Sequence, residues 1–415
     1  MAATLKLGNA NWAAKEGSLL AYNDENDNFK PLPFDFTRAS SATYVASDGL
    51  IKTSTSGQPR IDFLNNTNGT LLLEPQRTNL ITYSEDFSNS YWQKSGATVT
   101  SGFTSPDGTA NAFKLVEDTS NNLHIINRII TVSNATNYST SIFAKLGERT
   151  KFGIRDGFSN KFITINLSNG SVIDSNGLIS SKITQLENDW YKISLTFQTA
   201  ATSLTLKAYI LGDSYTSGNP DDVSNRYQGN GSSGLYIYGA QLEEASYPTS
   251  YIPTSGSTVT RVAETCSQTP ASGVIGQTAG TIYWEIDVET LVATANENIL
   301  NIDAGFFGNT IYFIKTATGS ITAEIYVSGG VQASFTKTNI TKGVHKIALG
   351  YANNNTACFI DGVQVGVNDT SCTIPATNRV QLGSGAIGAS DGKIKSLQLY
   401  NTRLSNSELA TLTTI

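Results

Sequence analysis

Charge is scarce in this chain. Of 415 residues, 28 are Lys or Arg and 34 are Asp or Glu, 15% together, against about 25% in an average globular protein. The formal net charge is −6 and no run of Lys or Arg stands out. The basic stripe that counterion release on nucleic acid requires is therefore missing, which excludes a nucleic-acid partner. Histidine occurs twice, as His124 and His345, and cysteine three times, as Cys266, Cys358 and Cys372. Without a C-x-x-C pair or neighbouring histidines, zinc, redox and Ser/His/Asp chemistry have little to build on. The thiols read as small buried side chains, and a Cys358–Cys372 bridge is not expected in a reducing compartment. No stretch of about 18 uninterrupted apolar residues exists, and Met1-Ala2-Ala3 opens no signal sequence. The expectation is a soluble chain without membrane insertion or signal-directed export. Heptads are absent too, so the expected homo-oligomer, with a trimer favoured, is not a coiled coil.

What the chain has is alternation and turn residues. Runs such as NAFKLVED (111–118), HIINRIITV (124–132), STSIFAKL (139–146), KFITINL (161–167), DWYKISLTFQT (189–199), LTLKAYIL (204–211) and GLYIYGAQLEE (234–244) have the period of half-buried strands, separated by Gly, Asn, Ser and Asp. Many short strands without a convincing helix predict a two-sheet sandwich over 81–254. A second series from TIYWEIDVET to GKIKSLQLYN predicts another over 274–415, with Asp361-Gly362 as a hairpin turn and Ser405 to Glu408 as the capping box of a short C-terminal helix. The Pro-bearing stretch 255–273 reads as a linker, and 33–80 as a β-hairpin connector turning at Asp48-Gly49. Residues 1–32, with an exposed Trp12 and an acidic patch at Asp24, Glu25 and Asp27, read as an N-terminal attachment arm. The expected fold class is thus mainly β: two tandem antiparallel jelly-roll β-sandwiches preceded by a short β-rich connector.

The strings FDFTRASSATYVASDGLIKT (34–53), PRIDF (59–63), GTLLLEPQRTNLITYSEDFSNSYWQ (69–93) and YIYGAQLEEASYPTSYIPTSGSTVTRVAE (236–264) come in that order. This succession resembles a module of bacteriophage tail-fibre, head-fibre and other virion surface proteins, in which a connector leads into a carbohydrate-binding-type jelly roll. The order GVHKIALGYANNNTACFIDGVQVG, then IKSLQLYNTRLSNSELATL, resembles the concanavalin A-like or laminin G-like jelly roll. The resemblance implies a virion protein made in the bacterial cytoplasm. It would dock to other virion proteins through its N-terminal arm and adsorb to host cell-surface glycans without chemistry, a non-enzyme. A purely structural or decorating virion protein is the rival reading. In such jelly rolls the Trp of DWYKISLTF belongs to the fold, which assigns Trp190 to the core.

Two constellations could carry a site. Between Leu211 and Leu235 lies GDSYTSGNPDDVSNRYQGNGSSG, a loop longer than the usual 12 to 15 residues of an unstructured connection. Its Tyr215 and Tyr227 offer ring faces for pyranose stacking, and its Asp221, Asp222 and Arg226 offer hydrogen bonds to hydroxyls. A mobile solvated loop is the alternative, as is a structural Ca²⁺ held by Asp221 and Asp222. No other cofactor is expected and the metal content is open. The second constellation is Glu285-x-Asp287-x-Glu289, which resembles the E-x-D-x-E motif of laminarinase-type glycoside hydrolases. There Glu285 would be the nucleophile, Asp287 its electrostatic partner and Glu289 the acid/base. Period 2 puts the carboxylates on one strand face, with Trp284, Ile286 and Val288 opposite. Their position on the first strand of a small domain, with one Trp in that half, argues for an outward acidic strand instead.

Overall fold

The computed structural model describes residues 2–21, 32–288, 297–305, 308–316, 318–383 and 393–415. It is mainly β, as the alternation predicts, and its sheets are antiparallel. The chain divides into two units: residues 1–47, 53–76 and 262–415 in one, and 48–52 with 77–261 in the other.

The first unit is a sandwich of an eight-stranded and a nine-stranded sheet. Ile282, Trp284, Ile286 and Val288 of the strand Ala279–Val288 point into its core, as do Phe34, Phe36, Phe313 and Ile325 of the facing sheet. Trp284 meets Phe313 edge-on, with ring centroids 5.5 Å apart. The predicted capping box forms: Ser405 Oγ accepts from Glu408 N (3.3 Å) and Ser405 N donates to Glu408 Oε2 (2.7 Å), opening the helix Asn406–Thr413. Leu409 of that helix packs with Tyr283, Phe359 and Tyr400 on the other face of the eight-stranded sheet.

This unit also takes in segments expected to lie elsewhere. Leu5–Gly8, from the expected attachment arm, pairs with Lys393–Tyr400 in the register Leu5↔Leu399 and Leu7↔Leu397. Its apolar side chains alternate with Lys6, and burying each is worth about 1.5 to 3 kcal/mol, so a strand position in the sheet outcompetes a free arm. Trp12, expected to be exposed, packs against the same core, with its indole N–H donating to Asn68 O (2.9 Å). The acidic patch at Asp24, Glu25 and Asp27 lies outside the described residues. Leu32–Thr37 of the expected connector and Thr265–Gln268 of the expected linker pair with each other (Phe36↔Cys266), and the latter pairs on to Arg379–Leu382. Cys266, Cys358 and Cys372 are free and buried, and burial pushes the Cys358 thiol up to about 12.

This unit also holds a buried ionic cluster. The Glu264 carboxylate, fully buried, accepts from Arg38 Nη1 (2.7 Å) and Arg60 Nε (2.8 Å), and its second oxygen accepts from Arg60 Nη2 and from Glu74 N (2.9 Å). Arg60 Nη2 also pairs with Glu74 Oε2 at 2.9 Å. The remaining donors are used: Arg60 Nη1 on Thr43 O (2.8 Å), Arg38 Nε on Ser40 O (2.8 Å) and Arg38 Nη2 on Thr55 O (2.6 Å). Two cations face two carboxylates, which is the arrangement that makes burial of charge tolerable.

The second unit is a jelly roll of two six-stranded sheets. Outward positions apart, its strands supply one core: Ile126, Ile130, Phe152, Ile154, Leu206 and Ala208 from one sheet, Leu115, Ile142, Leu195 and Leu242 from the other. Trp190 is 1% exposed, in agreement with its assignment to the core. Asn79 joins the first and last strands, donating to Ala240 O (3.1 Å) and Ile252 O (2.8 Å) and accepting from Ile81 N and Leu242 N (both 3.1 Å). Buried Glu243 fixes the exit by accepting from Thr249 N (2.8 Å) and Thr249 Oγ1 (2.7 Å). At the Asp48-Gly49 turn Gly49 takes φ +77°, and Leu50 N donates to Asp48 Oδ1 (3.0 Å).

Replacing Glu264 with Ala leaves two buried guanidinium groups short of a counter-charge. The expected cost is about 3 to 5 kcal/mol, read as a fall in the urea midpoint.

Candidate functional site

The loop identified in the sequence does not float. It lies across the outer face of the six-stranded sheet formed by Gln93–Ser95, His124–Thr131, Ser203–Leu211, Lys151–Asp156, Lys161–Asn166 and Ser171–Asn176. Period 2 sets that face: Leu206, Ala208 and Ile210 enter the core, so Thr205, Lys207, Tyr209 and Leu211 point out. Cross-strand register makes rows of them. Lys207 stands between Asn127 and Arg155, and Tyr209 between Ile125 and Gly153.

Tyr215, expected to offer a ring face to sugar, is 4% exposed and packs on Ile125, Tyr209 and Leu211. Its hydroxyl donates to Gly218 O (2.5 Å) and lies 3.2 Å from Thr164 Oγ1. It is an anchor and not a platform, because its ring is buried in the apolar cluster on this face. Asp221 accepts from Lys207 Nζ at 2.9 and 2.7 Å through its two oxygens, from Arg155 Nη1 at 2.9 Å and from Tyr209 Oη at 3.0 Å. Burial works to raise the Asp221 carboxyl, but hydrogen bonds and charge from Lys207, with Tyr209 and Arg155, hold it below its ordinary value. Burial and the Asp221 charge push the Tyr209 phenol well up.

The other loop candidates divide. Asp222 caps the short 3₁₀ turn Val223–Asn225, accepting from Ser224 N at 2.9 Å. Lys207 and Arg155 supply at Asp221 the positive charge that a Ca²⁺ held by Asp221 and Asp222 would have brought. Among the described residues no group of three or more His, Cys, Asp or Glu is placed to hold a metal ion. Arg226 is exposed. Tyr227 donates to Glu117 Oε2 (2.8 Å), with its ring 4.5 Å from the buried His124 ring and 5.2 Å from the Arg149 guanidinium. Glu117 is itself clamped by Arg149 through Nε and Nη2, both at 2.8 Å. Tyr227 thus closes a structural network.

Beyond Asp221 the face is open. Ile129, opposite Thr205, is 51% exposed, and Phe158, in the turn whose Gly157 N donates to Thr205 O (2.7 Å), is 57% exposed. A Cβ at Gly157 would fall 2.9 Å from Thr205 Cβ and 3.0 Å from Lys207 Cε, which places this turn directly on the rim of the face. Sequence reasoning passed over Arg155, Lys207, Tyr209 and Phe158. The available signal was a pair of cations at outward positions of two strands that otherwise read as apolar.

The acidic motif lies elsewhere. Tyr283, Glu285 and Asp287 share the face opposite Trp284, as period 2 requires, in the middle of the eight-stranded sheet. Glu285 pairs with Lys395 Nζ (2.9 Å) and accepts from Tyr283 Oη (3.2 Å). Glu289 lies outside the described residues. A groove of about 510 Å³ in the same unit runs between Gly330–Lys337 and Val363–Asp369, and none of the sequence candidates lines it.

No protein-family model matches the chain, and no curated protein matches it in sequence. Solved structures do. The CBM40 of the Ruminococcus gnavus IT-sialidase, bound to α2,3 sialyllactose, is 20% identical, with 35% of this chain and 91% of that one covered and a TM-score of 0.30. Trypanosoma rangeli sialidase is 12% identical over 95% of this chain and 81% of its own, also at 0.30. A SAP-like pentraxin from Limulus polyphemus is 12% identical, with 32% and 68% covered, at 0.25. The expectation of a non-enzyme is corrected at this point: the structures matched across 95% of the chain are sialidases, which are enzymes. At these identities and TM-scores the likenesses carry no argument for a particular activity.

Tyr215→Ala removes the loop's apolar anchor, so subtilisin should cut between residues 212 and 218 at least about tenfold faster than in the wild type, as local opening governs cleavage. In the other unit, His345 Nδ1 faces Asp361 Oδ2 (2.7 Å) and Nε2 faces Thr341 O (2.8 Å). The hydrogen bond to Asp361 raises the His345 pKa above 6.5 against the opposing effect of burial. A raised pKa means that the stabilisation is complete below the unfolded value of 6.5 and is lost as pH climbs through the folded one. NMR titration should find His345 still protonated above pH 6.5, and the urea midpoint should fall as it deprotonates.

Proposed function

We propose that this chain is a glycan-binding protein of a bacteriophage virion surface, of tail-fibre or head-fibre type, that engages host cell-surface saccharides through its jelly-roll unit. The observation that carries the glycan part is the open half of the sheet face. Asn127 lies two residues from the exposed, apolar Ile129 on the same outward side of its strand, and the ring of Phe158 is exposed in the turn next to Thr205. A pyranose needs both an apolar surface for its C–H face and nearby donors and acceptors for its hydroxyls.

The virion part is supported by the sequence resemblance. Arg38, Arg60, Glu74 and Glu264 stand in the four strings that carry it, and all enter the same buried ionic cluster. Several copies on a particle would raise avidity over single-site affinity by about 10² to 10⁴.

The test is a glycan array of bacterial envelope saccharides probed with the whole chain, followed by calorimetry on the hits. Phe158→Ala should weaken binding by about 1.5 kcal/mol, roughly tenfold, as partial burial of a phenyl ring predicts. Val363→Ala, on an exposed strand of the other unit, should change nothing. Absence of any hit, or equal binding by the Phe158 variant, would refute the reading.

A further inference from the structure

Asp221 receives more donors than a loop staple requires. Arg155 and Lys207 are directly opposed on neighbouring strands, Tyr209 follows on the same face, and all three converge on one carboxylate. Two cations thus meet a single negative charge, and among the described residues no other carboxylate pairs with either. The Arg155 Nε, in a residue only 7% exposed, has no hydrogen-bond partner among the described residues. Lys207 and Asp221 have side chains about one-fifth exposed, so solvent reaches the cluster.

The segment that carries Asp221 is largely self-contained in its hydrogen bonding. Apart from Asp221, the hydrogen bonds of residues 219–226 run within the segment: Asn219 Oδ1 accepts from Asp221 N, Asn225 Nδ2 donates to Asn219 O, and Asp222 caps Ser224. This self-capped piece is hydrogen-bonded to the sheet through one carboxylate, next to the buried Pro220, while Tyr215 holds the loop's other half in its apolar seat.

We infer that Arg155, Lys207 and Tyr209 form a binding site for the carboxylate of an acidic saccharide, and that Asp221 occupies it as an internal stand-in until the 219–226 segment lifts. A planar guanidinium beside an ammonium and a phenol is suited to a carboxylate and gives a neutral sugar no comparable advantage. Lifting the segment also joins the cationic row to the open patch of Ile129 and Phe158, so the sugar ring and its acid group have adjoining seats. Because the closed form excludes the ligand, apparent affinity is reduced by the fraction of chains that are open, and removing the internal competitor restores it.

This inference rests on the glycan-binding reading and names its ligand class, so its test must fail separately. The whole chain and its Asp221→Ala and Asp221→Asn variants are titrated with trigalacturonate and a hyaluronate tetrasaccharide, and with neutral chitotetraose, after thermal melting shows which variants fold. Asn keeps the side chain's shape and one acceptor, so it decides the matter if the Ala variant does not fold. The expected result is at least about tenfold tighter binding of an acidic probe by the folded Asp221 variants, no change for chitotetraose, and loss of the gain when Lys207→Ala is added. Unchanged or weaker acidic binding in both variants overturns the inference, even where the array above shows wild-type glycan hits. An equal gain for chitotetraose also overturns it, since that would be loop opening without recognition of an acid.

Discussion

The burial of Glu264 between two arginines is the constraint on which the first unit depends. A carboxylate withdrawn from water at this depth is tolerable only if both its oxygens are filled and its charge is matched. Arg38 and Arg60 do this from 226 and 204 residues away, and the Glu74 amide does so from 190. Such contacts are expensive in loop closure, though the cost grows only with the logarithm of loop length. Once made, they leave little freedom in pairing. With Arg38 and Glu264 joined, Leu32–Thr37 runs beside Thr265–Gln268, and that strand continues to Arg379–Leu382. A hydrophobic cluster would tolerate slippage by two residues; a guanidinium fork on one carboxylate does not.

Local rules were legible in the sequence and long-range ones were not. Alternation located Ala279–Val288 and put Trp284 on its buried side, and the Ser405 to Glu408 spacing foretold the helix start. Both are settled by residues within one turn or one strand. Alternation says which face of a strand is buried but not which strand lies beside it. That is why Leu5 and Leu7 read as a loose arm although they sit opposite Leu399 and Leu397. The short strands Lys151–Asp156 and Ser171–Asn176 were missed for a related reason: Gly153 and Asp174 break the apolar rhythm, and only the neighbouring strands supply the missing stability.

The candidate site shows the same boundary. A tyrosine in a long polar loop has the same sequence signature whether the loop is solvated or folded onto a sheet, and Tyr215, assigned to a sugar from the sequence, packs on Ile125, Tyr209 and Leu211 instead. Aspartates gave no better clue, since a carboxylate that meets a ligand and one that meets Lys207 are spelled alike. What distinguishes them is the outward face of a distant strand, available only when register is known.

The electrostatics of that face explain why the loop is anchored in two chemically different ways. Leu211, Ile125 and the Tyr209 ring form an apolar half, and an apolar half is covered most cheaply by another ring, which Tyr215 provides. The Arg155 and Lys207 half cannot be covered so. An apolar plug over it would strip water from two cations and return nothing, a penalty of several kcal/mol per ion. A carboxylate is the only common side chain that can close over this half, and Asp221 is one. One negative charge facing two positive ones leaves the row with a net positive charge. A face covered in this manner is protected from water at one end and remains receptive to anions at the other.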